Sequence, residues 1–254
     1  MATFDIVNRV CACLLLGLRV APVFALAPPF SLIRTPVVFR VLFGLGVAAC
    51  MVGTDPLSTR IENLDAGNLI VVAARELLLG MVFVMAFQLM FGMLYMAGRT
   101  VDIQAGFGLA VLIDPTSQNQ VPLVGTLFAY SAGAVFFAMG GHQDLLRMME
   151  ASLRAIPLGT GYLQPGGLAR VAAFLGVLSV TSFGVAGGAI LSLFLADLAI
   201  ALLSRTVPQM NVLVLGFQVK TLLLLMVLPA AFGASGALLA RMTSITLEAV
   251  RGLL

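Results

Sequence analysis

The residues able to do chemistry in this chain are ionic, and they sit where an apolar chain has least use for them. Arg19, Arg40, Arg75, Glu76, Asp197, Arg205 and Lys220 lie within or at the ends of long apolar runs. Each costs about 2.5–3.5 kcal/mol at the centre of a membrane helix on insertion scales. Such groups must pair, snorkel to an interface, or face water or protein. Arg75 and Glu76 are adjacent. Neighbours on a helix do not face each other, so each needs another partner.

No catalytic set accompanies these charges. The sequence has no His/Glu/His helix, no Gly-x-Ser-x-Gly elbow and no phosphate-cradling glycine loop with its lysine. Asp102, Asp114 and Asp197 lack the context that an intramembrane aspartyl protease needs. His142 is the single histidine and cannot build a zinc site alone. Cys11, Cys13 and Cys50 sit in apolar runs and read as inert buried thiols. The chain therefore reads as non-enzymatic, with neither cofactor nor metal.

The elements that must carry these residues are membrane helices. Of the 254 residues 61% are hydrophobic and 10% charged, and the mean hydropathy is +1.10. That excludes an ordinary soluble domain. It fits an all-α, integral membrane bundle of about six long, partly broken helices. The length leaves no room for a second soluble domain, so residues 1–254 read as one domain. The net charge of +3 is scattered, which argues against nucleic-acid binding. Arginines in almost every connector leave the membrane orientation open.

In chain order, Ile6 to Ala27 reads as a first helix that stays attached, because Asp5, Arg19 and Pro28 all spoil a signal peptide. Pro36 opens a second helix to about Gly53. A third runs from about Leu69 to Ala97 and a fourth from Pro122 to Gly140. Asp144 to Ala155 reads as an amphipathic helix with Leu145, Met148, Met149 and Leu153 on its apolar face. A fifth span covers about Leu168 to Val207, with a bend or break at Gly187-Gly188. Met210 to Leu239 is the last long helix, kinked at Pro229, and Arg241 to Leu254 is a separate short amphipathic helix.

Between the third and fourth helices, Gly98 to Pro122 interrupts the apolar chain. It mixes Arg99, Asp102, Asp114 and several amides with a glycine-flanked apolar patch: Gly106, Phe107, Gly108, Leu109, Ala110, Val111, Leu112 and Ile113. Glycines favour irregular backbone, and Pro115 biases Asp114 away from helix. Irregular backbone at membrane depth survives only when buried in protein or lining a cavity. The stretch therefore reads as a re-entrant, plug-like loop pointing into a pore, with an ordinary connector packed on its own helices as the plainer alternative.

Two sets of residues resemble one family. The first runs from Ala97-Gly98 through Asp102, Gln104, Gly106 and Phe107 to Asp114-Pro115, followed by Gly140-Gly141-His142. The second is Asp197-Leu198, Arg205, Pro208-Gln209-Met210-Asn211-Val212, Gly216-Phe217 and Lys220. In order and spacing they resemble the FliR family of flagellar type III export-gate proteins, along the whole chain. That resemblance implies a fold like a fusion of FliP-like and FliQ-like helical hairpins. It implies assembly with FliP-like and FliQ-like subunits into a pore-containing complex in the bacterial inner membrane, within the flagellar basal body. FlhB-like and FlhA-like export proteins would be neighbours, and unfolded flagellar proteins would pass through. It also implies that the central stretch is the family's plug loop, sealing the channel with a methionine ring. Here the patch after Phe107 is aliphatic (Val111, Leu112, Ile113) where aromatic residues would suit a tight seal.

Pore-plug residues are then expected at Gly106, Phe107, Gly108, Leu109, Val111, Leu112 and Ile113. Arg75, Glu76, Asp102, Asp197, Arg205 and Lys220 are expected to fix assembly or to pair within the fold. Asp114, Pro115, Pro208, Gln209, Asn211 and Gly216 carry the family motif. Membrane lipids complete the expected partners. The alternatives are an injectisome SctT-type gate subunit or, in a different class, a small-solute secondary transporter. The transporter would carry a matched pair of broken helices, and only one broken segment is visible in the sequence.

Overall fold

The computed structural model describes residues 2–54, 66–107, 122–159, 167–207, 209 and 211–253. All regular structure among the described residues is helical. The helices are α1 (Ala2–Leu26), α2 (Val37–Thr54), α3 (Ala66–Gln104), α4 (Leu123–Ala138), α5 (Gly141–Ala155), α6 (Gly167–Thr206) and α7 (Val212–Leu253), with a 3-10 turn at Phe30–Leu32. Five of them are long and apolar enough to cross a membrane, or up to six spans if α4 and α5 together form one broken span. The chain turns by 71° between that pair, at Gly140, whose φ of +75° suits glycine. The all-α membrane bundle expected from composition is borne out.

The chain divides into two compact units. One comprises Met1–Met90, Phe136–Leu175 and Thr243–Leu254; the other comprises Phe91–Val135 and Gly176–Met242. In the first unit α1 and α2 pack as a hairpin. A Cβ on Gly44 would lie 2.6 Å from the Ala21 Cα, so only glycine permits this approach. Phe24 holds the hairpin's turn through ring contacts with Phe30 and Phe43, at 4.8 and 5.1 Å between centroids. α5 buries Leu145, Met148, Met149 and Leu153, the apolar face expected from its pattern.

Three expectations about helix limits are corrected. α3 does not stop at Ala97 but continues to Gln104, so Gly98 to Gln104 is helical rather than irregular. Packing explains this: Ala97, Val101 and Ala105 are fully buried, which offsets the about 1 kcal/mol cost of one helical glycine. α6 runs unbroken through Gly187-Gly188. The last helix and the tail are one helix of 42 residues that contains Pro229. Ser235, Leu239, Met242, Thr246 and Val250 are buried at helical spacing along it, so its terminal part is anchored by packing rather than set apart.

Candidate functional site at the base of the central loop

The second unit gathers most of the singled-out residues around the two ends of the central stretch. Asp102, near the end of α3, is 6% exposed. Both its carboxylate oxygens accept the Val124 backbone N–H at 3.2 Å, and the amides of Leu123 and Gly125 also address it. The first amides of any helix lack intrahelical partners, and a carboxylate there also complements the helix dipole. Asp102 thus caps α4 from outside. Beside it, a Cβ on Gly98 would lie 2.2 Å from the Gly125 Cα, so the two backbones touch. These contacts hold the departing and returning ends of the chain together.

Lys220 of α7 forms an ion pair with Asp197 of α6. Its Nζ also donates to the Gln104 carbonyl at 3.2 Å. That carbonyl belongs to the last turn of α3, where oxygens are left without helical donors and a cation is favoured. One turn before Lys220, the Phe217 ring lies 6.4 Å from that of Phe107 in an edge contact. Gly106 has φ +91°, and a Cβ there would meet Phe217 at 3.2 Å. Lys220 and Phe217 therefore brace the point where the chain leaves α3.

The α6–α7 turn carries the rest of the described motif. Asn211 Oδ1 accepts the Val214 N–H at 3.4 Å, the position of a helix N-cap. A Cβ on Gly216 would meet the Ile200 side chain at 3.7 Å, an ordinary van der Waals distance. Arg205, in the last turn of α6, and Gln209 are exposed. Gly108, Leu109, Val111, Leu112, Ile113, Asp114, Pro115 and Pro208 lie outside the described residues.

In the first unit, Glu76 finds its partner in Arg19, 57 residues away. Arg19 Nε donates to Glu76 Oε2 at 2.7 Å, with both side chains fully buried. Arg19 also donates to Ser152 Oγ at 3.4 Å and to the Ile156 carbonyl at 3.1 Å. Glu76 Oε1 accepts the Gly159 N–H at 3.2 Å. The pair thus ties α1, α3, α5 and the turn after α5. Both residues stand out in the sequence as charges in long apolar surroundings, but a contact across 57 residues leaves no local pattern that joins them. Arg75 is half-buried. Among the described residues no three His, Cys, Asp or Glu side chains come together to hold a metal. What the arrangement can do is position backbone: it fixes loop ends and helix ends with buried polar contacts.

The sequence profile described as "Bacterial export proteins, family 1" matches residues 10–245. The chain is 28% identical to the flagellar biosynthetic protein FliR of Bacillus subtilis, over 98% of this chain and 97% of that one. It is 25% identical to the FliR of Escherichia coli over 79% of this chain and 76% of the relative. It is 27% identical to the Yop proteins translocation protein T of Yersinia pestis over 63% of this chain and 62% of the relative. The expected resemblance to the FliR family is borne out, and the chain belongs to the bacterial export proteins of family 1.

Proposed function

We propose that this chain is a non-enzymatic subunit of the flagellar type III export gate, helping to form and plug the channel through which unfolded flagellar proteins pass. One observation carries the channel reading. The apolar spans within α3, α6 and α7 are 37, 38 and 40 residues long. At 1.5 Å per residue these are about 55–60 Å, against a hydrocarbon core of about 30 Å. Fitting them inside would require a tilt of about 60°, beyond the about 40° that transmembrane helices reach. In an 18-residue apolar window of each, only 28% in α6 and 17% in α7 is buried within the described chain. Apolar surface that neither lipid nor the chain covers must be covered by other protein, which suits a subunit of a larger complex.

The FliP-like and FliQ-like subunits implied by family resemblance supply that cover in this reading, with FlhB-like and FlhA-like proteins adjoining, in the inner membrane of the basal body. The flagellar setting is supported by the FliR match along 98% of the chain, against 63% for the Yersinia translocation protein. The braced ends of the central stretch support the plug: a loop that seals a pore needs fixed anchors, and Asp102, Gly98, Lys220 and Phe217 supply them. The family match spans both compact units, which supports one FliR-like domain over residues 1–254.

Deleting residues 106–113 tests the plug. Cells assembling the mutant gate should leak small ions, read as loss of membrane potential by a voltage-sensitive dye. A tight membrane with the mutant gate assembled would rule the plug out.

A further inference from the structure

Between α2 and α5, within the first unit, lies a groove of about 650 Å³ to which the channel reading gives no role. Phe43, Gly46 and Cys50 line it from α2, and Leu146, Arg147 and Glu150 from α5. Phe43 is 60% exposed, and a Cβ on Gly46 would meet nothing within 4 Å. α2 is apolar over 18 residues, near the length that crosses hydrocarbon, yet only 17% of it is buried in the fold. α5 differs. Its apolar face is buried, while Asp144, Arg147, Glu150 and Arg154 alternate in sign along its outer face. The groove thus has an apolar wall on α2 and charged groups on α5.

We propose that this groove binds one phospholipid with a zwitterionic head, of the phosphatidylethanolamine class. An acyl chain lies along Phe43, Gly46 and Cys50, the phosphate engages the Arg147 guanidinium, and the ammonium engages the Glu150 carboxylate. Three features select this occupant. The lining joins an apolar wall to charges of both signs, which an amphiphile matches; an apolar protein helix would leave both charges desolvated. The four charges along the outer face of α5 cancel, so an anionic lipid gains no net attraction and is repelled by Glu150. The pairs that now hold the two charges, Arg147–Asp144 at 3.2 Å and Arg154–Glu150 at 2.6 Å, are exposed on both sides. Exposed pairs hold weakly and exchange readily for a headgroup. The site stands apart from the channel reading and needs only that the chain be in a membrane.

Cys50, expected to be a buried thiol, is instead exposed in the groove and provides the probe. The full chain with Cys11→Ser and Cys13→Ser is labelled at Cys50 with bimane and titrated in mixed micelles with phosphatidylethanolamine carrying brominated acyl chains, which quench the dye. Quenching should saturate, and brominated phosphatidylglycerol should need about tenfold more lipid, the worth of one charge-assisted contact. Gly46→Leu should fill the groove and remove the saturable component. Glu150→Gln, at an exposed position that leaves the fold intact, should erase the preference between the two lipids. Linear and equal quenching by both lipids would overturn the proposal, because it reports bulk contact only. So would a Cys50 label shielded from both lipids in the complex co-purified with partner subunits, because a protein then fills the groove.

Discussion

Arg19 and Glu76 are both fully buried, and their value lies in being together. Removing one partner strands a charge, which costs about 3–5 kcal/mol, whereas replacing both with apolar residues of similar volume is often neutral. Glu76→Ala should therefore lower unfolding stability in detergent by about that amount, while Arg19→Met with Glu76→Leu should recover most of it. Equal losses in the single and double variants would show that the pair is not the source. Asp102 makes a second residue-scale prediction. Asp102→Ala should speed amide hydrogen exchange at Val124 by an opening free energy of about 0.5–2 kcal/mol, and Asp102→Asn should restore most of the protection. The adjacency of Arg75 and Glu76 revealed that Glu76 needs a partner. It did not reveal Arg19, because a contact across 57 residues leaves no local pattern. Asp102 was singled out for its charge, but its role as the cap of α4 appears only once the chain returns beside it.

The helices themselves were largely legible, because apolar runs between polar connectors mark spans directly. Their ends and interruptions were not, because glycine and proline break helices only where packing does not hold them. Gly98 stays helical because it must let α4 approach. Gly187 and Gly188 stay helical in α6, and a Cβ on either would meet nothing within 4 Å. Their missing side chains therefore serve no packing among the described residues. Gly187→Ala with Gly188→Ala should stabilise the isolated chain by about 1–2 kcal/mol, the summed gain in helix propensity. Thermal unfolding in detergent measures it, and a loss of stability would restore the reading of a break at this point.

The whole molecule is apolar in excess of what a bilayer alone can cover. α7 spans 42 residues, about 63 Å at 1.5 Å per residue. Composition announced a membrane protein, and the span from Leu168 to Val207 was legible at nearly its full length; the continuation of α3 past Ala97 and of α7 past Leu239 was not, because connectors were expected where the chain in fact continues. The misplaced charges of the sequence meet different ends, and Arg40 donates to the Ala25 carbonyl at 2.7 Å. Arg19, Glu76, Asp197 and Lys220 are paired within the chain and shape it. Arg205 is exposed at the end of α6. The most direct measurement is native mass spectrometry of the particle extracted by mild detergent from cells that produce this chain. A hetero-oligomer of fixed stoichiometry that contains FliP-like and FliQ-like subunits is expected. A solitary, stably folded chain with α6 and α7 surrounded by lipid along their full length would contradict it.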